Sequence, residues 1–132
     1  MAPKLTSLDH LVLTVRSTEQ TTKFYTDILG MEAEVFYPSD GSRRTALKFG
    51  KQKINLHLAG LEFEPKAHTP APGTADLCFL SDVALSEWEM HLNTSGIPIE
   101  EGPVARNGAV GPILSLYIRD PDGNLIEISN MV

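Results

Sequence analysis

The chain reads twice, and that repetition constrains its fold more than any other feature. From Leu8, LDHLVLTV has the Val/Leu density of a strand. A helix follows. Ser17 with Gln20 three residues on predicts a capping-box start, Phe24, Tyr25 and Ile28 give an apolar face, and Gly30 ends it. MEAEVFYP, RTALKFG and KINLHLAG then read as three strands, split by SDGS and GKQ. From about Leu61 to Gly73, LEFEPKAHTPAPG carries three prolines and a glycine and reads as a linker. The pattern then restarts with TADLCFLSD as a strand. ALSEWEMHLNTSG is a helix with Leu85, Trp88 and Leu92 on one face and Gly96 at its end. IPIEEG, GPILSLYIRD and LIEIS are the next strands, the last two joined by PDGN. Strand, helix, strand, strand, strand thus occurs once in each half.

The chain's 132 residues suit one compact domain or two small modules that share a core. The net charge of −6 comes with eleven basic residues that form no run, which argues against nucleic acid and anionic membrane as partners. Cys78 is the only cysteine, so an intrachain disulfide is impossible and a reducing, cytoplasmic location is expected. MAPKLTSLDH lacks the apolar run of a signal peptide, and no apolar stretch is long enough to span a bilayer.

Alternate strand residues point to opposite faces, and each helix can cover only one face of its sheet. The aliphatic positions choose the covered side: Leu11, Leu13 and Val15; Ile54, Leu56 and Leu58; Leu77 and Phe79; Leu114, Leu116 and Ile118; Ile126 and Ile128. The other face receives His10, Val12 and Thr14; Lys53, Asn55 and His57; Asp76 and Cys78; Ser115, Tyr117 and Arg119; Glu127 and Ser129. Laying DHLVL on ADLCF and INLH on IEIS matches His10 with Asp76 and Asn55 with Glu127, leaving His57 one pleat further along. If the modules pair into one curved sheet, these polar positions converge on a concave site.

His10, Asp76 and Glu127, with Asn55 or His57, offer nitrogen and oxygen donors. Such a set suits one divalent ion of mixed coordination (Ni, Mn, Fe, Co or Zn) with positions left open for a substrate oxygen. The competing reading is a solvated polar face, where such alternation is ordinary. Tyr117, Arg119, Arg44 and Lys53 are candidates to bind an anionic substrate or are simply surface residues. Cys78 suits a buried, inert thiol, His91 a surface pair with Glu87, and His68 a solvated linker residue. DPDG is sufficiently explained as a turn.

LDHLVLTV, FYTDILGM and YIRDPDGNLIEIS together resemble the vicinal-oxygen-chelate superfamily, which holds glyoxalase I, extradiol dioxygenases, methylmalonyl-CoA epimerase, and fosfomycin- and bleomycin-resistance proteins. KINLHLAGLEFEPKA and IPIEEGPVARNGAVGPILSLYIRDPDGNLIEISN are similar to the subgroup of glyoxalase domain-containing protein 5 and bacterial relatives labelled as virulence proteins. The resemblance implies an α+β fold of two paired βαβββ modules forming a curved mixed sheet around a cleft, commonly completed in a homodimer. One domain then covers residues 1–132, with module one at about 5–60, the linker at about 61–73 and module two at about 74–132.

The resemblance also implies a metal held from the first and last strands of the modules. His10 matches the first-strand histidine and Glu127 the last-strand glutamate; Asn55 stands where Glu or Gln is usual, and Asp76 where a second histidine is usual. The implied function is a metal-dependent lyase or isomerase of glyoxalase type working through an enediolate-like intermediate. Glu127 would be ligand and base, Asp76 the alternative base, His10 and His57 further ligands. Tyr117, Arg119, Arg44 and Asn55 would hold an acidic substrate such as a glutathione adduct. The alternative is a non-catalytic small-molecule binder of bleomycin-resistance type. An extradiol-type dioxygenase is disfavoured because RNGAVGPILS holds no histidine.

Overall fold

Val and Leu at every second position of β1 (His10–Val15) leave Leu13 and Val15 buried and His10 and Val12 exposed, as period-two alternation requires. The computed structural model describes residues 2–132, in the order β1, α1 (Thr18–Asp27), β2 (Glu32–Phe36), β3 (Arg44–Phe49), β4 (Gln52–Leu58), β5 (Asp76–Leu80), α2 (Leu85–Thr94), β6 (Glu101–Asn107), β7 (Pro112–Arg119) and β8 (Leu125–Met131). These elements divide into two units, one ending at Ala71 and the other starting at Pro72. Each contains one four-stranded mixed sheet and one helix, and neither sheet closes into a barrel. The strand orders are β1-β4-β3-β2 and β5-β8-β7-β6. In each unit the helix carries the chain from the first strand to the far edge of the sheet. A meander then returns, so the last strand pairs parallel with the first.

In module one, the Ser17 side chain accepts a hydrogen bond from Gln20 N at 3.1 Å and starts α1 as expected. Gly30, at φ +74°, closes the helix, with its N–H donating to Thr26 O and the next, on Met31, donating to Tyr25 O. Thr21, Phe24 and Tyr25 press the helix onto the buried Leu47, Ile54 and Leu56.

In module two the core is Leu85, Leu92, Leu116, Ile118, Ile126 and Ile128. Each such side chain contributes about 1.5–3 kcal/mol relative to exposure. α2 has no side-chain cap on Ala84. Instead Asn130 Oδ1 accepts from Leu85 N at 2.9 Å, and Trp88 Nε1 donates to Ser81 Oγ at 2.9 Å. The His91 ring meets the Trp88 ring edge-on at a centroid distance of 5.8 Å.

Two local expectations are corrected. The strand expected at IPIEEG, residues 97–102, begins at Glu101 and runs to Asn107. Its register on β7 shifts between Glu101 and Val104, across Pro103, which has no N–H to give to a ladder. Gly102 makes this possible: at φ +109°, a Cβ there would lie 2.3 Å from Ser115 O. The second correction concerns Ser115 and Ser129, read as members of a wet face, which are both fully buried.

The PDGN turn is a clamp. Asp120 Oδ1 accepts from the N–H groups of Asp122 and Asn124, both at 2.9 Å, and Oδ2 accepts from Asn124 Nδ2 at 2.8 Å. Asn124 Oδ1 in turn accepts from Ala75 N at 2.9 Å, fastening the start of β5 to the β7–β8 turn. Asp120 and Asn124 are both buried, so these bonds satisfy groups that water cannot reach.

Candidate functional site

Glu127 sits on β8 opposite Cys78 of β5 and opposite Tyr117 of β7, on the face that α2 does not cover. Ser115 Oγ donates to Glu127 Oε2 at 2.6 Å, and Ser129 Oγ donates to the same oxygen at 3.4 Å. The two hydroxyls are 2.7 Å apart, and Ser129 Oγ is 3.3 Å from Cys78 Sγ. Hydroxyl donors to a carboxylate are charge-assisted and short, so this chain orients Glu127 while drawing only on Oε2. Cys78 is exposed rather than buried as expected, but partial desolvation, with the Glu127 charge behind it, raises the pKa of its thiol, so it stays protonated beside the carboxylate.

Tyr117 is pushed up by burial and by the nearby Glu127 charge, partly offset by the Arg106 guanidinium, and so remains a phenol. Arg106 Nε donates to Tyr117 Oη at 2.9 Å, and Nη2 pairs with Glu101 Oε2 at 2.8 Å. Asp76, Glu101, Arg106, Tyr117 and Glu127 line a hollow of about 400 Å³. The basic group of this hollow is Arg106, a residue the sequence reading did not select. It lies in β6 beyond the strand expected at residues 97–102, past a bulge whose one extra residue sets the face it adopts. Arg119 instead forks onto Glu100, with Nε and Nη2 each 3.1 Å from a carboxylate oxygen, and Nη1 donates to Gly123 O.

In module one the equivalent register pairs Val12 with Asn55 and Thr14 with His57. His10 Nδ1 lies 2.9 Å from Asp9 Oδ2. Against a carboxylate, Nδ1 is the protonated nitrogen, so in the neutral ring the Nε2 lone pair is available, the arrangement a metal-ligating histidine uses. His10 is 45% exposed and open to such a partner. Asn55 Oδ1 is buried and has no hydrogen-bond partner. His57, by contrast, is capped. Its ring meets Phe63 edge-on at 5.5 Å, and the Arg44 guanidinium lies 4.0 Å from the centre of the same Phe63 ring. Burial first, and the Arg44 charge second, lower the His57 pKa, which favours a neutral imidazole. Asp40 and Ser42 hold Arg44, at 2.9 Å to Nη2 and 3.0 Å to Nε. Lys53 stands over the Phe36 ring at 4.3 Å.

Taken unit by unit, the donor types suit a borderline divalent ion: a carboxylate-oriented imidazole and an orphaned Asn55 amide oxygen in module one, and a hydroxyl-oriented carboxylate in module two. Among the described residues, no three His, Cys, Asp or Glu side chains gather into a group that could hold a metal ion.

The family model for the glyoxalase/bleomycin resistance protein/dioxygenase superfamily matches residues 7–128. The chain belongs to that superfamily. It is 55% identical over 124 residues to the glyoxalase domain-containing protein RDO1 of Mycosarcoma maydis, covering 94% of this chain and 68% of that protein. It is 53% identical over 125 residues to virulence protein STM3117 of Salmonella typhimurium, covering 95% and 84%. Among solved structures, an integron cassette protein from the mobile metagenome of V. cholerae superposes with a TM-score of 0.94 at 53% identity, covering both chains fully. A lactoylglutathione lyase from Agrobacterium tumefaciens gives a TM-score of 0.71 at 25% identity over 96% of this chain and 95% of that one. The antibiotic-binding protein TnmS3 from Streptomyces sp. CB03234 shares the fold, with a TM-score of 0.72 at 19% identity over 99% and 100%. Proteins of this fold thus include one named as a lyase and one named as an antibiotic binder.

Proposed function

We propose that this superfamily member is a metal-dependent lyase or isomerase of glyoxalase type, acting on a small substrate with two adjacent oxygens. The observation that carries the reading is Glu127, a carboxylate on an uncovered face with Oε2 anchored by Ser115 at 2.6 Å. A solvated surface glutamate needs no buried serine to aim it. His10, through Nε2, and Glu127 are the residues that would hold the ion, with Asp76, Asn55 or His57 as further donors from one chain or from two copies in a homodimer. When bound, the ion supplies Lewis acidity toward a substrate oxygen.

The chain's own groups do the rest. Glu127 or Asp76 removes the proton from the carbon beside the substrate carbonyl and returns it to the neighbouring carbon, giving an enediolate-like intermediate in between. Tyr117, as a phenol, and Arg106 donate hydrogen bonds to the oxygen on which charge develops. Arg44 and Arg119 are further candidates to meet an acidic substrate. The similarity to a lactoylglutathione lyase supports a glutathione adduct as the first substrate to try. The lone Cys78 favours a reducing, cytoplasmic setting. No helix among the described residues is long and apolar enough to cross a membrane.

A binder that sequesters a small molecule is the second reading. It is favoured by an apolar groove of about 470 Å³ next to Glu127, bordered by Cys78, Leu80, Ile113 and Met131. The test is metal analysis of the protein after loading with Ni, Mn, Fe, Co and Zn, followed by assay with the glutathione adduct of a 2-oxoaldehyde. Near-stoichiometric metal and turnover support the lyase. Absence of both, with retention of small molecules, supports the binder.

A further inference from the structure

We infer that the module-two face takes an anion with an apolar tail, Arg106 receiving the anionic group and the adjoining groove receiving the hydrocarbon. This deepens the reading above, because it assumes that the Glu127 face is where the substrate lies. The hollow and the groove are contiguous in composition: Arg106 and Glu127 line both. One side of this pair of side chains is polar. The other is walled by Cys78, Leu80, Val110, Ile113 and Met131. About 470 Å³ is the size of a small-molecule site.

A second, independent observation comes from the β6–β7 hairpin. Hairpin tips are normally polar, yet this one is Gly-Ala-Val-Gly, with Val110 81% exposed. Leu80 and Met131, also on the groove wall, are 60% and 50% exposed. Gly108 donates its N–H to Gly111 O at 2.8 Å, and a Cβ on Gly108 would lie 3.0 Å from Ile113 Cγ2. Glycine therefore lets the tip fold down onto Ile113 and carries Val110 to the groove. Apolar side chains on three separate elements that converge in this way mark a binding surface rather than scattered exposure.

Charge supplies the other half. The Arg106 fork has five N–H donors, and three are engaged, by Tyr117 Oη, Ala105 O and Glu101 Oε2. Two remain for a ligand carboxylate, which is the planar group a guanidinium matches best. Asp76, Glu100, Glu101 and Glu127 set a negative field that opposes any anion and a dianion twice as strongly, so the head that fits is a single carboxylate seated directly on the guanidinium, with the groove supplying the rest of the affinity.

The experiment titrates straight-chain carboxylates from butanoate to decanoate, with the matching alcohols, by calorimetry. Affinity is expected to rise about fourfold per methylene until the groove is full. Carboxylates should be preferred over alcohols. Arg106→Met should abolish that preference and keep the chain-length slope; Arg106→Lys should restore part of it. Val110→Asp should flatten the slope and keep the preference. Metal content, measured on the same samples, should be unchanged in all three variants. If the wild type binds no metal while the carboxylate series behaves as described, the lyase reading fails and this one stands. A slope of zero in the wild type, or one that survives Val110→Asp, overturns the proposal. So does a groove that resists alkanoates while Val110→Asp splits a dimer, for the face then belongs to a second copy.

Discussion

The two uncovered faces share one register and opposite chemistry. Val12 pairs with Asn55 where Cys78 pairs with Glu127, so His10, Asn55 and His57 occupy the positions of Asp76, Glu127 and Ser129. Module one fills them with imidazoles and an amide, backed by Lys53 and Arg44; module two fills them with carboxylates and hydroxyls, backed by Arg106. Their surroundings differ as well. Phe63 lies over His57 in module one, whereas a hollow opens over Glu127 in module two. The fold repeats and the site chemistry does not.

The sharpest way to break this asymmetry is Glu127→Gln, which keeps an acceptor for Ser115 but removes the charge. Turnover should fall by about 10²–10⁴-fold, read by steady-state assay with the metal-loaded protein. Asn55→Glu, which puts a carboxylate on the equivalent position of module one, should not rescue it. Loss of activity confined to less than a factor of about two would remove Glu127 from the chemistry.

Next in size are the groups that orient each donor. Asp9→Ala and Ser115→Ala leave the proposed ligands in place and should each weaken metal affinity by roughly 10–100-fold, measured by competition with a chelator. If only Ser115→Ala does so, the metal belongs to module two alone.

Backbone strain separates the modules too. Gly102→Ala drives a Cβ to 2.3 Å from Ser115 O at positive φ and should cost about 2–4 kcal/mol in denaturant unfolding. Gly41→Ala, also at positive φ but with nothing within 4 Å, should cost about 1–2 kcal/mol.

The smallest effect is in pH. The folded pKa of His57 lies below its unfolded value, so between the two the unfolded chain binds more protons. Its contribution is therefore complete above pH ~6.5 and is lost as pH falls through the folded pKa. Metal-free wild type should lose more stability from pH 7 to 5.5 than His57→Gln, compared by thermal melts.

Much of this was legible in the residues. Alternation placed His10, Asp76 and Glu127 on uncovered faces, Ser17 and Gly30 bounded α1, and PDGN announced a turn, because each rests on neighbours within a few positions. What escaped depended on distant partners. His57 is capped by Phe63 from a loop without helix or strand, and no strand pattern shows a loop folding back. Ser115 and Ser129 looked wet but lie 2.7 Å apart and contact Glu127 across the β7–β8 ladder. Arg106 was missed because it lies beyond the strand expected at residues 97–102, and because the one extra residue in the bulge at Gly102 switches the face Arg106 adopts.

The Asp120–Asn124 clamp has a wider consequence. Because Asn124 fixes Ala75 from the turn side and Ile126 and Ile128 fix the opposite face, the exposed positions 76 and 78 contribute little to holding the strands together. Residues there can be exchanged at small cost to folding. That separation lets one scaffold be recruited for unrelated tasks by a handful of substitutions, and it makes this face the economical place to install a new activity.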